Sequence, residues 1–463
     1  MVLRCLSLFF LWLLTQASLS GADMTVSQFT VLTNQFAGPP LVGYGVAISP
    51  FLTAPNGGQT VGDLADLGQK LNTLAPQHVR IFVLTEWWRP GNEKLRDSFI
   101  RTCQMAQAAG ATINVTLWQG WKTNPAQAAQ DMAGLLQDLI VKRSLTAVRC
   151  VTLQNEVNST KITMAQYNDF YRRFDQALRS AGIRDRLQIV GGDLVRIKQA
   201  DWLRDLATEL APVCDGHSIH VYWEYANAPD FIPRRLGEVV ALENALPAQG
   251  RRPLYLTEFG VRGQGWQVRG QEPGRYEDGT PITQTWVSAL QTGWLMIEAT
   301  RLGFVATVQW EACDVAYGRL PMHYGIIGEA SEGWPLRPGY QVLRLFTHTT
   351  SPGWRALPVE GDSSGVLLTA VQGPKGELTL MVLNHSSLPQ AISIAHLPSP
   401  TLFHRLCWNA AAPDRLQDAG NLAAAAVPLE LALPARSITA LTSGSDQWQS
   451  LRATSPTKSE PTP

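Results

Sequence analysis

The 463-residue sequence carries no net charge, with 38 Lys and Arg against 38 Asp and Glu. It therefore has no basic field to hold a nucleic acid or an anionic membrane surface. Charged residues are scarce at 16%, while apolar residues reach 45%, which is a globular balance and not a disordered one. Cysteine is sparse too. Cys5 lies in an apolar N-terminal segment, and Cys103, Cys150, Cys214, Cys313 and Cys407 are far apart, with no CxxC and no Cys/His cluster. This excludes a clustered zinc site and gives no disulfide framework, so small buried thiols are the expectation. No apolar run reaches the ~20 residues of a membrane-spanning helix.

The N-terminal segment has a different use. Arg4, the apolar run Leu6 to Leu14 and the small residues around Ser18 to Ser20 read as a secretory signal. Residues 1–22 are expected to be that signal, and the mature protein to be secreted or periplasmic, off the membrane and monomeric. Residues 23–350 are expected to form one domain and 351–446 a second. The segment 447–463, which ends TSPTKSEPTP, is expected to be a disordered tail.

Eight β-rich runs alternate with helical stretches: LVGYGVAI, HVRIFVL, TINVTLW, VRCVTLQ, LQIVGGD, GHSIHVYW, PLYLTEFG and VATVQW. Several are apolar almost throughout, as in strands covered on both faces. The helical stretches before Gly110 and Gly182 stop at glycine, as helices do. The number and length of the units predict an α/β fold, a (β/α)8 TIM barrel. A doubly wound open sheet is the competing reading, but GYGVAISP after the first run is a poor phosphate loop. From residue 350 onward, short β-like runs such as SGVLLTAV, ELTLMVLN and SITALTS predict a small all-β sandwich.

Barrel chemistry sits at the C-terminal strand ends. Those ends carry Arg80, Glu86, Trp118, Asn155 and Glu156, Asp193, His220 and Tyr222 with Trp223, Glu258, and Trp310. Glu156 and Glu258 are separated by three βα units, which sets them across the mouth from each other. Two such carboxylates suit glycoside cleavage: one protonates the leaving oxygen while the other attacks or activates water. Seven of the 15 Trp (Trp87, Trp88, Trp118, Trp121, Trp223, Trp266 and Trp310) lie at or after strand ends, where flat rings can bury sugar faces. Asp193 reads as a loop cap, Glu86 as a rival acid, and His78 and His217 as structural. No metal or cofactor is called for.

The combination of LQNEV, LTEFG, HVRIF, HSIHVYW and VQWEA resembles the clan A glycoside hydrolases. By that resemblance Glu156 is the acid/base, Glu258 the nucleophile and Asn155 the partner of the sugar 2-hydroxyl. Arg80, His220 and Tyr222 would support the nucleophile, and Trp310 would floor the subsite, with Trp118 and Trp223 as further substrate contacts. The appended sandwich is similar to those of families 30 and 39. The resemblance implies a secreted retaining enzyme acting on a β-linked polysaccharide or oligosaccharide, endo-acting, without cofactor. A non-catalytic carbohydrate-binding protein on the same barrel is the alternative.

Overall fold

The computed structural model describes residues 26–52, 64–266, 273–317, 320–361, 363–398, 401–424 and 428–444. The expected signal and tail lie outside these residues. The eight predicted runs form a closed parallel barrel: β2 (Gly43–Ala47), β3 (His78–Val83), β4 (Thr112–Leu117), β5 (Val148–Leu153), β6 (Gln188–Leu194), β7 (Gly216–Glu224), β8 (Leu254–Arg262) and β9 (Ala306–Gln309). Their outward residues, such as Val79, Ile81, Val115 and Val151, are fully buried beneath the helix layer, which is why the strands read as continuous apolar runs. Helix ends follow local chemistry. A capping box of Thr163 and Gln166 starts Met164–Ser180, and Gly182 follows that helix at φ 68°, a left-handed position that favours glycine.

The second unit holds two sheets. One is six-stranded, in the order β12 (Arg355–Leu357), β14 (Val366–Gln372), β15 (Leu378–Asn384), β20 (Ser437–Thr442), β17 (Thr401–Asn409) and β18 (Gln417–Ala424). The other has the order β13 (Val359–Glu360), β1 (Ser27–Val31), β16 (Gln390–Ala395) and β19 (Leu429–Leu433). A short hairpin, β10 (Val315–Tyr317) and β11 (Leu320–Met322), follows the barrel.

β1 corrects the expected domain division. It lies before the barrel in sequence yet pairs in parallel with β16 and antiparallel with β13, inside the sandwich. Phe29 and Val31 bury themselves among Ile392, Ile394, Leu431 and Leu433. The span 23–350 is thus not wholly barrel, because an alternating five-residue strand needs a sheet to cover its apolar side. The sandwich packs on the last two barrel helices, Trp286–Arg301 and Pro338–Thr349, through Met381, Leu383, Trp408 and Ile438. A side chain at Gly293 would meet Ile438 Cδ1 at 2.2 Å, so the glycine leaves room for the Ile438 side chain as it packs here.

All five described cysteines are buried and free. No helix among the described residues is long and apolar enough to cross a membrane.

Candidate active site

The mouth of the barrel is organised by Arg80, which is 1% exposed at the inward face of β3. Its Nη1 donates to Glu258 Oε2 at 2.7 Å, and its Nη2 to Asp193 Oδ2 at 2.5 Å and Asn155 Oδ1 at 2.7 Å. A guanidinium only donates, so these contacts draw both carboxylates onto Arg80 and turn the Asn155 oxygen inward. Glu258 Oε1 accepts from Tyr222 OH at 2.6 Å.

His220 joins the acids. Its Nδ1 lies 3.2 Å from Glu156 Oε1 and 3.8 Å from Glu258 Oε1, and its Nε2 lies 3.5 Å from Asp193 Oδ1. Burial alone would lower its pKa, but the charges of Glu258 and Asp193, with hydrogen bonds to Asp193 and Glu156, outweigh that and raise it to about 9. His220 is therefore an imidazolium at neutral pH. Burial pushes the Glu156 carboxyl up, yet the His220 contact and charge, with Arg80 behind, pull it below its ordinary value. Burial and the Glu258 charge raise the Tyr222 phenol well above its usual range, so it remains a donor.

Asp193 is the residue that sequence reasoning misjudged. It caps no loop. It is fully buried, and its Oδ1 accepts from Thr257 Oγ1 at 2.6 Å and Ser218 Oγ at 2.9 Å. Burial opposes its charge, but Arg80 and His220 hold it well below the ordinary carboxylate range. A register shift between Gly191 and Leu194 aims it inward, with Gly192 at φ 121° and Asp193 itself at φ 49°. Gln154 and Glu156 are also left-handed, at φ 73° and 45°. Such non-glycine positions cost about 1–3 kcal/mol each and cluster at functional sites.

Phe82, two residues beyond Arg80 on the same face, was also missed. The Arg80 guanidinium lies 4.4 Å from its ring centroid, and Trp118 and Trp310 pack on it at 5.6 Å each. The period of two along β3 was the available signal. The same parity corrects Trp223. With His220 and Tyr222 facing inward, Trp223 faces the helices, stacks near Phe259 and donates Nε1–H to Gln291 Oε1 at 2.9 Å. It cannot touch a substrate at the mouth.

The aromatic rim is correspondingly thinner than expected. Trp87 and Trp121 are core residues, the latter stacked on Phe170 at 4.3 Å, and Trp88 donates to Asp138. Trp118, Trp310 and Trp266 remain. Trp266 joins through Arg262, whose guanidinium lies 3.9 Å from its ring and 4.5 Å from that of Tyr222. Glu86 is exposed on the turn Thr85–Trp88, away from the cluster. His78 and His217 are structural, bonded to Thr112 and Glu243.

Glu156, His220 and Glu258 offer three ligand atoms within 4.8 Å of one another, the only such grouping found among the described residues. A cation there would face the imidazolium and Arg80, so the arrangement favours proton transfer over metal binding.

No protein-family model matches the chain, and no curated protein matches it in sequence. Solved structures do match. A GH30 endoxylanase from Clostridium papyrosolvens aligns over 90% of this chain and 100% of its own, with TM-score 0.63 and 14% identity. The catalytic domain of GH30 xylanase C from Talaromyces cellulolyticus aligns over the same shares, with TM-score 0.65 and 12% identity. A GH51 arabinofuranosidase from Xanthomonas axonopodis pv. citri covers 90% of this chain and 99% of its own, with TM-score 0.63 and 13% identity. The chain thus has the fold expected from the clan A resemblance, an eight-stranded parallel barrel with a joined β-sandwich.

Proposed function

We propose that this chain is a retaining β-glycoside hydrolase working by double displacement. The observation that carries the reading is the closeness of the two carboxylates: one oxygen of each lies within 4.8 Å of the other, across His220. Retaining pairs stand about 5–5.5 Å apart, whereas inverting pairs leave about 6.5–9.5 Å for a water. Glu258, paired with Arg80 and aligned by Tyr222, attacks the anomeric carbon, and the bond to the leaving oxygen breaks as Glu156 gives that oxygen a proton. Glu156 then takes a proton from water, which attacks the glycosyl ester and releases the sugar with its configuration kept. Asn155 donates to the 2-hydroxyl, and Trp310 with Trp118 receives the sugar face. The partly exposed rings of Trp118 and Trp266 support a β-linked polysaccharide cut internally. The segment 1–22 supports export, and the protein is read as acting as a monomer.

The test is a screen of aryl β-glycosides and β-glycans with proton NMR of the first-formed anomer. Retained configuration in wild type and loss of turnover in folded Glu258→Gln are expected. Inverted product would end the double-displacement reading. Glycan binding without turnover in wild type would favour a carbohydrate-binding protein instead. Product chain length separates internal from terminal cleavage.

A further inference from the structure

We propose that a second site, for an oxyanion, lies on the barrel rim beside the acid/base turn, between the start of the helix Gln199–Glu209 and the flank of the helix Ala228–Asn244. A cavity of about 580 Å³ opens there, lined by Arg196, Lys198, Gln199, Asp201, Arg235 and Glu238. Its charges do not balance. Arg196 and Lys198 are exposed and form no ion pair among the described residues. Asp201 is already answered by Arg204 at 3.4 Å, and Glu238 by Arg234 at 2.9 Å and Arg235 at 3.5 Å. Arg235 itself is only 4% exposed. Burial lowers its affinity for its proton, Glu238 opposes this, and Arg196 and Arg234 add to the lowering, so cation repels cation across this cavity.

The hydrogen bonds are also incomplete. Gln199 is 3% exposed, and its Oε1 accepts from Arg235 Nη2 at 2.6 Å, while its Nε2 has no partner among the described residues. A buried donor left without an acceptor is costly, and an oxyanion would supply one. The first turn of the 11-residue helix has no side-chain cap, since Lys198 at its start, left-handed at φ 49°, carries no acceptor. Uncapped N–H groups and the positive end of the helix favour the same ligand. A neutral hydroxyl would not offset the excess positive charge.

The cavity is tied to the reaction centre through Asn158, two residues after Glu156. Its Nδ2 donates to Val195 O at 2.7 Å and to Ile197 O, and its Oδ1 accepts from Val195 N at 3.0 Å. The loop bearing Arg196 and Lys198 is therefore fastened to the acid/base turn. The ligand chemistry is a sulfate, phosphate or carboxylate group, carried on a glycan or free in solution. The site itself does not rest on the glycosidase reading, whereas the glycan source does.

The experiment uses the full chain, wild type and Arg196→Ala/Lys198→Ala, titrated calorimetrically with sodium sulfate and with inorganic phosphate at constant ionic strength. Saturable binding in wild type, weakened at least ten-fold in the double variant, is expected. No saturable binding, or equal affinity in both proteins, would overturn the site. A second titration uses Glu258→Gln, with and without the double change, against a sulfated or uronate-bearing oligosaccharide and its neutral counterpart. Tighter binding of the charged sugar, lost with the double change, assigns the anion to the glycan. Inorganic binding without that preference assigns it to a free ion. Inactivity of wild type on every glycan would remove the glycosidase reading and leave the first titration standing.

Discussion

His220 sets the protonation of the centre. With a folded value near 9 against 6.5 ordinarily, it is charged over the whole neutral range. Its interactions stabilise the fold fully below pH 6.5, and that stabilisation is lost as pH rises through about 9. The same charge holds Glu156 below its ordinary value, so the acid needed for the first step is protonated only under acidic conditions. The activity optimum is therefore expected below neutrality. Replacing His220 with Asn removes the charge 3.2 Å from Glu156, so the alkaline limb of kcat/KM should move to higher pH, even as the rate falls. A limb that stays in place would show that His220 does not tune Glu156. Asp193 works in the opposite sense. Its depressed value contributes stability present above about pH 3.8 and lost as pH falls through the lower folded value. Asp193→Asn breaks one arm of a fully buried pair with Arg80 and should cost about 3–5 kcal/mol in urea denaturation.

At the scale of elements, the barrel strands act as rulers with a step of two. Trp223 sits on the outer step of β7, so Trp223→Phe should lose the Gln291 hydrogen bond and about 1–3 kcal/mol of stability while leaving KM unchanged. A rise in KM would return Trp223 to the substrate. The eight strands were legible because parallel strands covered on both faces are apolar throughout, as in HVRIFV and TINVTL. Arg80, Asn155, Glu156, His220, Tyr222 and Glu258 were legible because a polar residue at the end of such a run has little other reason to be there. Asp193 was not, because its direction depends on the irregular pairing of β6 and β7 and on two positive φ angles, which leave no periodic trace. The rim Trp were over-read because residue type alone does not say which side of a strand end a ring lies on.

For the molecule as a whole, the sandwich is a brace bolted to the barrel and not a pendant module. Its core and the last two barrel helices share one apolar cluster, which includes Trp294, Trp354, Trp408 and Ile438. Phe29→Ala in β1 should lower stability by about 3–5 kcal/mol, measured by denaturant unfolding, while leaving the pH profile of activity unchanged. No change in stability would mean that β1 contributes little to the sheet. This strand escaped the sequence reading because Ser27 to Thr30 pair with Ile392 to Ala395, across the length of the barrel, and no local pattern announces so distant a partner.

That pairing dictates an order of assembly. As the chain leaves the ribosome, Ser27–Val31 emerges early and finds no sheet to join, and its seat between β13 and β16 exists only after both have been made. This early strand thus docks only after the whole barrel has been made, and until it does an open edge waits on the nascent sandwich. A fragment expressed from residue 351 onward would keep that gap for good, and would invite a stranger's strand to fill it.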